Sequence, residues 1–358
     1  MNSNISMGSR RRRLARNIAL LLLVSNTYVA ARGQSQVIDV KVHSPSLEHN
    51  LSRDSPDQEV AIYLPAAYRS EPERRFSTIY FLHGFADTRV QDVIKMLQSS
   101  MDRLIANKAI EPMIVVAPNG LNRYQGSFYT NSAVTGNWED YIVQDVVGYM
   151  DAHYRTLPEA NARGIVGHSM GGYGSLMLAF RHPDVFGYVY AMSPCCEELT
   201  ADLGPSNPAW GRIASIKSVD ELPGLLDREF LLVVFIAMDA AFAPSPANLP
   251  LLGDPPFRIA GGQRVPDPSV LAKFQSKLLI PAVPLLLPTI RKLKGIYIDY
   301  GAEDEFSHIP LGVQRLSAEL SNLGVPHILE VYEGDHGDRA RERVETRVLL
   351  WFSTQLRH

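Results

Sequence analysis

One serine in this chain has the neighbours that a nucleophile needs. Gly167-His168-Ser169-Met170-Gly171 reads G-x-S-x-G inside the glycine-rich run from Gly164 to Gly174. A serine hydroxyl is a weak nucleophile until a base removes its proton, and it must stand clear of the backbone. A sharp strand-to-helix turn meets the second need. The serine backbone is then strained and the neighbouring chain passes very close, which glycines two residues to either side permit. Ile165-Val166 ahead of the motif suits a buried strand, and Tyr173 to Phe180 after it reads as a buried helix. Without such flanks the motif would be only a glycine-rich turn around an ordinary serine.

The base is expected to be a histidine held in one tautomer by a carboxylate. Both should lie in loops after later strands, the acid before the histidine. His336, in Glu333-Gly-Asp-His336-Gly, directly follows a predicted strand in a glycine-flanked loop. His182 ends a helix before Pro183, His327 begins a strand, and His308 opens a helix and is the one competitor kept. For the acid, Asp304 stands three residues past Gly301, out on a loop, with Glu303 and Glu305 beside it. Asp299 is still in the strand and is expected to point into or across the sheet; Asp335 points away from its neighbour His336. Two backbone N–H groups must converge on the oxyanion. The amide of Met170 is one, and the amide of Phe85, after His83-Gly84, is the other. His83 itself reads as structural.

These residues need elements to hold them. Strands are expected at 37–42, 59–64, 76–82, 113–117, 163–167, 186–192, 295–300 and 327–332. Helical spacing of apolar residues marks 90–109, 138–154, the stretch after Ser169, 309–323 and 339 to the C-terminus. The segment 121–137 reads as a polar, aromatic loop. Strands alternating with helices imply a mostly parallel central sheet with helices on both faces. Between 194 and 288 the rhythm breaks into proline- and glycine-rich sequence with apolar helical pieces at 230–242 and 270–279. This stretch, 195–288, is expected to be an insertion that covers part of the active edge as a cap. The core would be 32–194 and 289–358, in the same domain as the insertion.

The 358 residues are 46 % hydrophobic and 20 % charged, an ordinary globular composition. Residues 1–31 read as a signal peptide: Arg10 to Arg13 and Arg16, an apolar run from Ile18 to Val24, and small residues at Val29-Ala30-Ala31. The location expected from it is secreted or periplasmic, and twin-arginine export is permitted. The apolar run is too short to span a bilayer, so no stable membrane association is expected after cleavage. Removing 1–31 takes away five arginines and no acid, so the formal charge falls from −3 to −8. With no basic block beyond the leader, nucleic acid is not an expected partner. Cys195 and Cys196 are adjacent and read as small buried residues after a strand. No second pair exists to complete a metal site, and no metal or organic cofactor is implied.

Taken together, Tyr80-Phe-Leu-His-Gly-Phe85, Ala117-Pro-Asn-Gly120, Asn137-Trp-Glu-Asp-Tyr141, Gly167 to Gly174, Phe186 to Pro194, Gly301-Ala-Glu-Asp304 and Gly334-Asp-His336 resemble the esterase D branch of the α/β-hydrolases. That branch includes S-formylglutathione hydrolase, feruloyl esterase modules and mycolyltransferases. The resemblance covers about 59–193 and 295 onward; 195–290 does not fit its shorter members. It implies an α/β-hydrolase fold and a serine carboxylesterase acting on a small-molecule or carbohydrate-linked ester. The same triad of Ser169, Asp304 and His336 would serve an acyltransferase with a sugar or alcohol acceptor. A non-catalytic binding protein on the same fold is disfavoured, because all three members are present. The resemblance also places Trp138 near the acyl site. The aromatic loop from Tyr124 to Trp138, Tyr129 within it, with Phe242 and Phe257 from the insertion, suggests an apolar or aromatic acyl group.

Overall fold

A computed structural model describes residues 34–87 and 90–358; the expected signal peptide lies outside them. Eight strands form one sheet: β1 (Gln36–His43), β2 (Asp57–Leu64), β3 (Thr78–Leu82), β4 (Ile114–Pro118), β5 (Arg163–His168), β6 (Tyr188–Met192), β7 (Gly295–Gly301) and β8 (Ile328–Tyr332). Their spatial order is β1-β2-β4-β3-β5-β6-β7-β8. β2 pairs antiparallel with both neighbours, and every pair from β4 to β8 is parallel. The central strands β3, β4 and β5 are apolar runs because helices cover both faces. β8 closes the sheet as a partly exposed edge, with Ile328 and Val331 facing solvent.

On one face, α1 (Val90–Ala106) lays Ile94, Leu97 and Met101 against Ile79 and Val115. The C-terminal helix α8 (340–355) joins it there through Val344, Val348 and Phe352. The other face carries α2 (138–153), α3 (Met170–Arg181) and α7 (His308–Asn322). α2 contains a π-helical stretch at Tyr141–Val146, which the spacing of its apolar residues does not reveal. The expected loop at 121–137 is irregular as read, except for a two-residue hairpin pairing Asn131–Ser132 with Gly136–Asn137.

The insertion is packed into the main core rather than set apart from it. α4 (Phe230–Phe242) is buried all round from Leu232 onward, which is why its sequence shows no polar face. Phe242 meets Phe128 at 5.1 Å, and Ser132 Oγ donates to the Ala240 carbonyl at 2.7 Å. Trp210 stacks on Phe235 at 3.9 Å. Downstream, the expected 270–279 helix is two helices: α5 (Pro268–Gln275), then α6 (Leu279–Ile290). α6 persists through Pro284 and Pro288 although each lacks an N–H to donate; Leu279, Ala282, Val283 and Ile290 are buried and hold it in place. A hairpin, Phe257–Ala260 with Gln263–Pro266, turns through Gly261-Gly262, both at positive φ, and was not evident from the sequence.

Candidate active site

Ser169 ends β5 and opens α3 at φ 57°, ψ −116°, a conformation costly to any residue with a side chain. Close approach of the surrounding backbone fixes it there. A Cβ on Gly171 would lie 2.1 Å from the Leu82 carbonyl oxygen, and one on Gly167 would lie 2.3 Å from the Gly171 carbonyl carbon. The Ser169 N–H donates to the Met192 carbonyl at 2.9 Å, which ties the turn to β6. Ser169 lines a narrow cavity.

The loops after β7 and β8 meet beside this turn. His336 Nδ1 lies 2.8 Å from Asp304 Oδ2, and the carboxylate side chain is fully buried. A carboxylate only accepts, so Nδ1 carries the hydrogen and Nε2 is left as the acceptor a base requires. The neighbouring acids brace the same loop: Glu303 accepts from Gly334 N at 2.6 Å, and Glu305 from His336 N at 3.1 Å. Gly301 allows the approach, since a Cβ there would meet the Gly334 carbonyl oxygen at 2.3 Å. Asp335 turns away and accepts from Gly337 N and Asp338 N. Asp299 is engaged elsewhere: it accepts from Tyr190 OH and from Arg343, both at 2.6 Å.

His168 links the two halves of the site. Its Nε2–H donates to the His336 carbonyl at 2.7 Å, and the two rings lie 4.6 Å apart. Burial, and then the nearby His336, push the His168 pKa down to about 4, so it is neutral near pH 7. Ser169 Oγ makes no hydrogen bond to His336 among the described residues; the serine and the histidine are brought together through His168.

At the other end of the elbow, the Met170 amide is the first of α3 and has no preceding turn to bond to. The Phe85 amide has no acceptor among the described residues. The side chains of Phe85 and Met170 meet at Gly126, where a Cβ would come within 2.4 Å of Phe85 and 2.6 Å of the Met170 sulfur. His83 has the structural role expected of it. Its Nε2 accepts from Gly120 N at 2.7 Å, so Nδ1–H donates to the Gly84 carbonyl at 2.8 Å. Burial pushes its pKa down and keeps the ring neutral.

Two expected substrate contacts are corrected. Trp138 is fully buried, with Nε1–H donating to the Thr135 carbonyl at 2.7 Å, and it packs edge-on against Tyr141. Tyr129 lies behind the elbow: it presses on Gly120 and Gly174, and its OH donates to the His83 carbonyl at 3.0 Å. Neither lines the cavity. Phe242 and Phe257 are also core residues, packed on Phe128 and Trp210. The walls come instead from Phe85, Phe128, Phe230, Leu231, Val234, Phe306 and Ile309, with Cys195 and Cys196 beside Ser169. The two thiols are buried as expected and stand 2.8 Å apart, but they also border the cavity. His308, the competing histidine, lines the cavity as well. Phe85 and Phe128 stand in stretches that the sequence marks, and Phe306 stands two residues after Asp304; the other walls have no such neighbour in sequence.

The sheet order, the strained serine at the end of β5 and the loops gathered beyond β7 and β8 define an α/β-hydrolase. The model of the "Putative esterase" family matches residues 55–233, half of the chain, and the protein belongs to that family. It is a carboxylic ester hydrolase by class. A ferulic acid esterase structure superposes with a TM-score of 0.60 at 18% identity, covering 90% of this chain and 100% of that one. The S-formylglutathione hydrolase of Staphylococcus aureus gives 0.56 at 16% identity, over 89% and 99%. A ferulic acid esterase of Anaeromyces mucronatus, in complex with ferulic acid, gives 0.51 at 16%, over 90% of each chain. At these identities the likeness is one of fold.

Proposed function

We propose that the protein is an exported serine carboxylesterase that works through an acyl-enzyme on Ser169, with His336 as base and Asp304 as its orienting acid. The observation that carries this reading is the buried Asp304–His336 hydrogen bond of 2.8 Å beside a serine held at positive φ. In this reading the ester carbonyl oxygen seats between the Phe85 and Met170 amides. His336 Nε2 takes the Ser169 proton as Oγ attacks, and Asp304 stabilises the imidazolium. His336 then returns the proton to the departing alcohol. Water, deprotonated by the same imidazole, attacks the acyl-enzyme and frees the acid. Each oxyanion donor contributes roughly 3 kcal/mol to the transition state. The substrate is a small-molecule or carbohydrate-linked ester whose apolar part fills the aromatic-walled cavity. Export is supported by the composition of residues 1–31.

A second reading, acyl transfer to an alcohol or sugar, is supported by the apolar side chains, Leu203, Phe230, Leu231 and Val234, that the insertion contributes to the cavity at Ser169. Partition of the acyl-enzyme between water and added alcohol separates the two. The primary test is labelling of mature protein by a fluorophosphonate, with the modified residue found by mass spectrometry. Labelling at Ser169 alone is expected, and none in Ser169→Ala. His336→Ala should lower kcat by about 10⁴-fold or more. If His308→Ala alone abolishes labelling and His336→Ala does not, the assignment of the base is wrong.

A further inference from the structure

A second histidine–aspartate pair packs on Phe306, and its histidine, His308, lines the cavity at Ser169. The Phe306 ring lies 4.9 Å from the His336 ring and 6.2 Å from the His308 ring. His308 Nδ1 lies 2.8 Å from Asp202 Oδ1, which also accepts from the His308 backbone N–H at 2.8 Å. Asp202 belongs to the insertion, so the covering segment fixes both the ring and the start of α7. His308 is 4 % exposed, and its Nε2 is buried with no hydrogen-bond partner among the described residues. Around it the cavity is walled by Leu203, Phe230, Phe306 and Ile309. A ring nitrogen left unmatched in such a setting is satisfied when a polar group is brought to it.

We propose that His308, positioned by Asp202, is a specificity residue: its Nε2 accepts a hydrogen bond from a hydroxyl on the acyl group that occupies this cavity. The polarity follows from the pair. With Nδ1–H committed to the Asp202 carboxylate, Nε2 of the imidazole is left as the acceptor, so it selects a donor. The favoured acyl group is therefore apolar along most of its length and carries one hydroxyl. The cavity is tight in this structure, with Phe230 and Phe306, both half-buried and 5.6 Å apart, in its wall. This inference rests on Ser169 being the nucleophile, as proposed above.

Boronic acids test it, because boron bonds to an activated serine and the organic group then stands where an acyl group would. Inhibition constants would be measured for phenyl- and 2-phenylethylboronic acid and for their 3- and 4-hydroxy and 3- and 4-methoxy derivatives. At one position the hydroxyl should tighten inhibition about tenfold over the parent, and a methoxy group, which cannot donate, should not. In His308→Phe, checked for folding by thermal melting, the hydroxyl-to-parent ratio should fall to about one. Should that variant not fold, the hydroxy-against-methoxy comparison on the natural protein decides. The proposal is overturned if no hydroxyl position gains over its parent, if methoxy gains equally, or if the preference survives in folded His308→Phe. Fluorophosphonate labelling of Ser169 with no hydroxyl preference sinks this inference alone. Absence of both labelling and boronate inhibition removes the esterase mechanism and this inference with it.

Discussion

His168 sits next to Ser169 in sequence and carries its own constraint. It donates Nε2–H to the His336 carbonyl while packed, buried, against a second imidazole, a setting that disfavours a charge on its own ring. Its folded pKa of about 4 lies below the ordinary histidine value of 6.5, first through burial and then through repulsion by His336. Between those two pH values the unfolded chain binds a proton that the folded protein does not. Stability therefore falls as the pH is lowered from 6.5 to 4, by roughly 1–3 kcal/mol from this group. His168→Asn should flatten that part of the stability–pH curve, read by urea unfolding. It should also lower kcat more than it raises KM, because the His336 loop loses an anchor. Ser169, Asp304 and His336 stand out in sequence for a physical reason: each stands just past a strand, in a loop marked by glycines that the close backbone approach demands. Trp138 and Tyr129 misled because a large ring with a polar tip suits a pocket or a core equally. Their N–H and O–H are satisfied by the Thr135 and His83 carbonyls, contacts that no spacing announces.

The edge of the sheet that carries Asp304 and His336 is secured by one arginine. Arg343 of α8 donates to Asp299 of β7 at 2.6 Å, to Glu330 of β8 at 2.8 Å and to Tyr190 OH of β6 at 3.2 Å. Burial lifts the Asp299 carboxyl to about 6 even with the guanidinium pulling it down, while the Arg343 hydrogen bond holds Glu330 near 2. Arg343→Met strands a buried carboxylate and should cost about 3–5 kcal/mol in denaturant unfolding. Adding Asp299→Asn should recover part of that loss. If the single variant is as stable as the natural protein, the arginine does not secure this edge. At this scale the sheet and its flanking helices were legible, because alternating strands and helices fix the layers. α6 was not: proline ordinarily breaks a helix, and only the burial of its other residues outweighs the donors missing at Pro284 and Pro288. The irregular turns of 201–225 offer no period to read.

Across the whole molecule, the insertion and the sheet share one core, and their junction hides an unusual group. Glu197 is fully buried beside Gly312, with neither carboxylate oxygen partnered among the described residues. Burial, with Cys195, Asp304 and Glu198 nearby, pushes its pKa well above the usual 4.5. The folded protein keeps that proton and the unfolded chain releases it above about pH 4.5, so this group lends less stability as the pH rises. Glu197→Gln should therefore melt higher than the natural protein at pH 8, with the gap shrinking toward pH 5. The cavity walls were the least legible feature, because they are drawn from stretches far apart in the chain. Nothing about Leu203 or Phe230 alone says which hollow it will line.

The adjacent thiols of Cys195 and Cys196 bear on how an inhibitor profile is read. Both border the cavity next to Ser169, so a mercurial bound to either would fill the space the ester must enter. Such a reagent should inactivate the enzyme by obstruction and mimic the signature of a cysteine hydrolase. The doubly substituted Cys195→Ala/Cys196→Ala protein should shrug off the mercurial yet still succumb to a fluorophosphonate.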